Sequence, residues 1–183
     1  MKVFLRKVDW VISKYLLRKN VIKRELKEFE MYLDLKTPGI SKTLSIYRSR
    51  EDDMIDIIKT YLKKGMTVVD CGSNIGFYPL LSSNILQSSG KIFAVEPDPR
   101  NFKMLLKNIQ LSKYPDSIKP FEMALSNNSG QQKMIVANES NLNKLSSSSD
   151  EKFSKRHGVQ EEITVKTLTI DDFCKQENIK IDF

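Results

Sequence analysis

Residues 67–78 read TVVDCGSNIGFY. Three β-branched residues, Thr67, Val68 and Val69, follow the helix-stopping pair Lys64–Gly65, which predicts a short buried strand ending at Asp70. The strand runs straight into Gly72–Ser73–Asn74–Ile75–Gly76, and a helical apolar rhythm resumes over Phe77–Leu86. Strand, glycine turn and helix make the opening unit of a nucleotide-binding α/β sheet. Gly72 permits the sharp turn without a Cβ, and Gly76 lets a ligand approach the helix start. The spacing D-x-G-x-x-x-G is not the G-x-G-x-x-G of dinucleotide sites. It suits a ligand whose cationic amino-acid end rests on the loop, with no pyrophosphate for the helix N-terminus to hold.

S-adenosylmethionine (SAM) is such a ligand, and the residues downstream agree with it. The helix is expected to run from Gly76–Phe77 to about Ser89, which leaves Pro79 in its first turn, where no hydrogen bond is lost. Lys91–Val95 is the second expected strand, ending at Glu96. In Glu96-Pro97-Asp98-Pro99, Asp98 is an N-cap and Pro99 a first-turn proline for a helix over Arg100–Leu111 burying Phe102, Leu105, Leu106 and Ile109. A third strand is expected over Ser117–Glu122. The order βαβαβ with short connections predicts a parallel, doubly wound sheet. Asp70 and Glu96 then close neighbouring strands at the same edge, beside the switch point. Glu96 lies 26 residues after Asp70 and 20 after Gly76, the position from which an acid accepts hydrogen bonds from both ribose hydroxyls. Its alternative role is helix capping, for which Asp98 is better placed. Asp70 is expected to order the glycine loop through backbone N–H groups and to lie near the ligand's ammonium or sulfonium.

Upstream, Ser49-x-x-Asp52 reads as a capping box for a helix burying Met54, Ile55, Ile58, Tyr61 and Leu62. Met31–Leu35 and Thr43–Tyr47 are β-prone pieces around the turn Thr37-Pro38-Gly39 and predict a lead-in hairpin. Residues 1–30 read as one long amphipathic helix, with Phe4, Val8, Val11, Tyr15, Ile22, Leu26 and Phe29 at a 3.6-residue period. They carry nine Lys/Arg against four Asp/Glu, so most of the chain's net charge of +7 sits there and the remaining residues hold only +2. This arm would pack on the domain or a second subunit, or lie on an anionic membrane with Trp10 and Phe4 at the interface. Nucleic acid is not expected as a partner, since no recognition motif accompanies the charge. The arm is set apart as residues 1–30, with the catalytic domain over 31–183.

Downstream of Ala124 a turn at Ser126–Gly130 precedes a strand over Gln132–Ala137. Asn138–Lys152 is polar and serine-rich, and reads as a surface loop. Glu162–Thr167 alternates as a strand, and Thr169-Ile170-Asp171-Asp172 matches a capping box for a short helix leading to an incipient strand, Ile179–Phe183. His157 is the only histidine in the 183 residues and reads as a solvated loop residue. Cys71 reads as a small filler beneath the loop. Two cysteines far apart give neither a zinc pattern nor a disulfide framework and fit a reducing compartment. No metal spacing occurs. Neither a run of 18 apolar residues nor a signal-length apolar core is present, so a cytoplasmic protein is expected, with peripheral membrane contact as the alternative.

As a set, VVDCGSNIGFYPLL, AVEPDPRNFKMLLKNIQL, MALSNNSG and VKTLTIDDF resemble the FkbM family of class I SAM-dependent methyltransferases. The resemblance covers roughly Tyr32–Phe183 and implies a Rossmann-like doubly wound sheet. It also implies methyl transfer from SAM to a hydroxyl on a sugar or natural-product-like acceptor. Asp70, Gly72, Ser73, Asn74, Gly76 and Phe77 would line the methionine side, Glu96 with Pro97 the ribose, and Glu122, Met123 and Ala124 the adenine. No catalytic base is assigned. The sequence departs from the family at Pro79, where threonine is frequent, and after Phe183, where the family continues into D-x-E-G and further strands. The domain is therefore expected to be incomplete at its C-terminus, and the chain as written to be inactive in turnover. The competing readings are a nicotinamide- or nucleotide-binding domain, disfavoured by the absent third glycine, and a non-catalytic fragment acting through association.

Overall fold

The structure is a computed structural model and describes residues 1–36, 39–139, 142–146, 156 and 158–183. His157, the turn residues Thr37–Pro38 and most of the serine-rich stretch lie outside them. A helix α1 (Lys2–Val11) continues into a π turn (Ile12–Leu16), followed by strands β1 (Val21–Glu25) and β2 (Glu30–Asp34) and helices α2 (Gly39–Tyr47) and α3 (Asp52–Tyr61). The central unit is β3 (Thr67–Cys71), α4 (Phe77–Leu86), β4 (Lys91–Val95), α5 (Pro99–Ile109) and β5 (Ile118–Phe121). It is followed by β6 (Ala124–Leu125), β7 (Gly130–Ala137), β8 (Lys144–Leu145), β9 (Val159–Leu168) and α6 (Ile170–Glu177).

The strands β3, β4 and β5 lie side by side and parallel, in register Val68↔Ile92↔Ile118, with α4 and α5 as crossovers. On the free edge of β3, Phe183 donates to Thr67 O (3.3 Å) and accepts from Val69 N–H (3.1 Å), a parallel pairing on the side away from β4. The strand order therefore turns at β3, which makes its C-terminal end the switch point of the sheet. Side chains alternate between two cores, as strands demand. Val68, Ile92, Ala94 and Ile118 face one core with Leu80, Leu81, Leu86 and Leu105 of α4 and α5. Val69, Phe93, Val95 and Phe121 face the other with Phe173 of α6. Phe173 is fully buried and meets Phe121 edge-on at 5.0 Å between ring centroids. Helix α6 is placed by its cap, Thr169 Oγ1 accepting from Asp172 N–H at 3.1 Å. The antiparallel pair β7–β9 is joined to this unit through β6, which runs parallel to β9.

Several expectations for the flanking segments are corrected. Residues 1–30 do not form one helix, because the helical course stops at the π turn and Val21–Glu25 pairs antiparallel with Glu30–Asp34. Ile22 and Leu26 are four apart, which suits a helix, but Ile22, Arg24 and Leu26 also alternate, and pairing of Ile22 with Leu33 buries more. The division drawn after Glu30 falls inside this hairpin, and Trp10, Ile22 and Leu26 share a core with Phe77 and Leu80. Thr43–Tyr47 lies in α2, so Met31–Leu35 finds its strand partner upstream, not downstream. Helix α3 is capped two residues later than expected. Glu51 is its N-cap residue in a left-handed conformation (φ 47°), while the Ser49 hydroxyl donates to Asp52 Oδ1 at 2.5 Å. Met54, Tyr61 and Leu106 are exposed, on the outer faces of their helices, and so is Cys71. Lys144–Leu145, within the expected loop, pairs with Met134–Ile135. No helix among the described residues is long and apolar enough to cross a membrane.

Candidate functional site

At the C-terminal end of β3 the chain must turn under the end of β4, and three positive φ angles accomplish it: Gly72 at 82°, Asn74 at 49° and Gly76 at 95°. The turn is pinned to β4 by Gly72 and Ser73 N–H, both donating to Val95 O at 2.8 and 2.9 Å. Asn74 N–H donates to Glu96 Oε2 at 2.7 Å, and Asn108 Nδ2 of α5 donates to Ile75 O at 2.8 Å. Gly76 starts α4 where a Cβ would stand 2.8 Å from Leu105 Cδ1. Gly76→Ala is expected to destabilise the chain by about 2 kcal/mol, through the left-handed φ and the overpacking of a fully buried leucine. Urea unfolding checks this, and a change under about 0.5 kcal/mol would refute it.

Glu96 holds more than the loop. Its Oε1 accepts from Asp98 N–H (2.9 Å) and Asn101 Nδ2 (3.3 Å), and the residue is only 4% exposed. Burial pushes its carboxyl up to about 7, against the pull of those donors. The backbone-ordering role expected of Asp70 thus belongs to Glu96. Asp70 instead has a buried Oδ2 with no hydrogen-bond partner among the described residues, and burial raises its carboxyl too. Asp98 caps α5 as expected, accepting from Arg100 N–H at 2.9 Å, and also accepts from Asn143 Nδ2 at 2.8 Å.

A cleft of about 410 Å³ opens over this edge, within the range of small-molecule sites. Of the expected cofactor residues, Gly72, Ser73, Asn74, Phe77, Glu96, Pro97 and Ala124 line it. Asp70 does not line it and directly precedes the lining residue Cys71 at the end of β3. Gly76 packs against Leu105, Glu122 is exposed outside the cleft, and Met123 is buried with Phe93, Val95 and Phe173. The lining also includes Ile40, Arg50, Tyr78, Leu125, Met134, Asn143, Lys144 and Leu145, which the spacing of the motifs did not disclose. Ile40 and Arg50 come from segments more than 20 residues before the glycine turn, with no periodic link to it. A second cavity, about 270 Å³, lies between Leu26–Phe29, the start of α3 and Phe77, and takes in none of the acids at the strand ends.

These residues fit SAM. The unpaired Oδ2 of Asp70 is an acceptor for an ammonium group. A Cβ built on Gly72 meets nothing within 4 Å, so the backbone there is open to a ligand. Apolar Ala124, Leu125 and Met134 offer a dry surface for a purine.

Comparison with solved structures returns a transferase of Pyrococcus horikoshii at 20% identity and a TM-score of 0.49, covering 65% of this chain and 47% of that one. It also returns TYW2 of Methanocaldococcus jannaschii in complex with AdoMet, at 17% and 0.44, covering 56% and 43%. The tRNA m1G37 methyltransferase of M. jannaschii matches at 18% and 0.44, covering 61% and 35%. The chain spans less than half the length of these structures. A tRNA methyltransferase among them corrects the expectation that nucleic acid is no partner. That expectation rested on the absence of a recognition motif beside the basic arm. No curated protein matches the chain in sequence. The family model for the methyltransferase FkbM domain, however, matches residues 70–183, from the acid at the end of β3 through α6. That match spans more than half of the chain and contains the glycine turn, Glu96 and the cap of α6, so the chain belongs to the FkbM methyltransferase family.

Proposed function

We propose that the chain transfers the methyl group of SAM to a hydroxyl oxygen of a sugar or natural-product-like acceptor. The observation carrying this reading is the glycine turn whose Asn74 N–H is held by Glu96 at the floor of the cleft. A carboxylate accepts from about four donors, and Asn74, Asp98 and Asn101 fill three of those places on Glu96, which leaves one for a ribose hydroxyl placed against it. The hydroxyl character of the acceptor rests on the family alone.

Bound SAM supplies an electrophilic methyl group on a sulfonium. The chain's part is to hold, orient and keep dry. Asp70, Gly72, Ser73, Asn74 and Phe77 would hold the amino-acid end, Glu96 and Pro97 the ribose, and Ala124 with Leu125 and Met134 the base. The gain from such holding is the entropy of alignment, several kcal/mol in favourable cases. Exclusion of water by Phe77, Leu125 and Leu145 would strengthen each polar contact.

The test has two arms. Titration calorimetry with SAM and with NAD is expected to show binding of SAM alone; preferential NAD binding overturns the cofactor assignment. Tritiated-methyl transfer is then measured with a pool of hydroxylated small molecules and glycans and, separately, with RNA. Label entering the first pool supports the acceptor class, and label entering RNA alone replaces it.

A further inference from the structure

Arg50 stands just before α3 and lines the cleft alongside Tyr78 and Asn74. It also lines an adjoining cavity of about 270 Å³ shared with Gly39, Ile40, Thr43, Glu51 and Glu139. Its position is over-determined. Arg50 Nη2 pairs with Glu51 Oε1, the Tyr78 hydroxyl donates to Glu51 Oε2, and the guanidinium lies 5.9 Å from the Tyr78 ring centroid. A left-handed φ of 47° is disfavoured for a non-glycine residue such as Glu51, so this trio is sustained by its mutual contacts. Hydrogen bonds from Arg50 and then Tyr78 hold the Glu51 carboxyl below its ordinary value, while burial and then Glu51 drive the Tyr78 phenol well above its own. Tyr78 therefore acts as a donor and not as a base.

One donor in this arrangement is unused. The Nε of Arg50 is buried and has no hydrogen-bond partner among the described residues. A buried N–H left in that state costs free energy unless a ligand satisfies it. Resting on the SAM reading above, we propose that Arg50 is the receptor for the carboxylate of the cofactor's methionine end. A guanidinium offers five N–H groups in a planar fork that matches a carboxylate, so Glu51 can occupy one edge while Nε serves another. Asp70 supplies the complementary charge. It too acts on Tyr78, and its orphaned Oδ2 suits the ammonium of the same zwitterion. The negative groups around Arg50 are Glu51, whose side chain is half exposed, and Glu139 across the adjoining cavity. Glu51 orients the guanidinium but leaves Nε unpaired, and that donor is what the carboxylate takes.

The experiment compares SAM with decarboxylated SAM, which lacks only that carboxylate, by titration calorimetry on the full chain. The unaltered chain is expected to bind SAM the more tightly. Arg50→Met should weaken SAM about 10- to 100-fold, the scale of a charge-assisted contact, and leave decarboxylated SAM unchanged. Arg50→Lys, which keeps the charge and loses the fork, should show a smaller loss, again for SAM alone. A loss shared equally by both ligands in either variant overturns the assignment, and so does no loss at all. Failure of the unaltered chain to bind either ligand overturns the cofactor reading itself, and the Arg50 assignment with it.

Discussion

Glu96→Ala is expected to weaken SAM binding by about 1.5–3 kcal/mol, roughly 10- to 150-fold, the scale for hydrogen bonds to a charged acceptor. Two effects add in the same direction. The ribose loses its acceptor, and Asn74 N–H loses the partner that fixes the glycine turn. Calorimetry on the folded variant measures the loss, and unchanged affinity would sink the ribose role. A pH profile adds a second readout. With its carboxyl near 7, Glu96 is about one-tenth ionised at pH 6 and nine-tenths at pH 8. Only the ionised form offers both oxygens to hydroxyl donors, so SAM should tighten about tenfold over that interval. Stability of the ligand-free chain should move the other way. A carboxyl raised in the folded state carries no penalty below the ordinary value of 4.5, and stability is lost as pH climbs from there to about 7. Opposite slopes for melting temperature and affinity would identify Glu96 as their common origin. Glu96→Gln should flatten both.

Asn108→Leu is expected to cost roughly 3–5 kcal/mol of stability although the two side chains branch alike, each with two terminal heavy atoms on Cγ. Asn108 is fully buried in α5. Its Oδ1 accepts from Tyr32 N–H at 2.6 Å, and its Nδ2 donates to Tyr32 O at 3.0 Å and to Ile75 O at 2.8 Å. Leucine would leave those three backbone groups without their partner in a place water reaches poorly. The side chain acts as one residue of a missing strand along the outer edge of β2, and also grips the glycine turn. Urea unfolding with an unchanged slope would report the loss cleanly, and a cost under about 1 kcal/mol would show that the bonds are replaceable.

What was legible in the sequence is what short-range order controls. The strand Thr67–Cys71, the turn at Gly72–Gly76, the cap at Asp98 and the cap at Thr169 are all set within a few residues of themselves, and each stands where the pattern put it. The acids at the strand ends follow from parallel register, which βαβ connectivity imposes. Less legible were features decided by partners far along the chain. Val21–Glu25 suits helix or strand by its own composition, and only Met31–Leu33, buried against it, settles the choice. The division of labour between Asp70 and Glu96 turns on which carboxylate reaches Asn74 N–H, a matter of ångströms that no spacing encodes. Arg50, Tyr78 and Met134 reach the cleft from three separate segments, and of Glu122–Ala124 only Ala124 lines it, Met123 being buried in the second core just after β5.

The bonds of Asn108 also bear on the order in which the protein can be made. Tyr32 precedes Asn108 by 76 residues, so a ribosome working from the N-terminus presents the β1–β2 hairpin well before its anchor exists. In that interval Met31, Leu33 and Leu35, all buried in the finished chain, have no α5 to lie on. An isolated two-stranded hairpin is marginal in water, and closing so long a loop is slow compared with local helix formation. The glycine turn is thus secured late, after α5 has emerged, and the nascent chain passes through a stage with a sticky hairpin and a loose cofactor loop. Chaperone engagement and aggregation during expression should therefore be most sensitive to changes in residues 21–35, a segment remote in sequence from the site it ends up supporting.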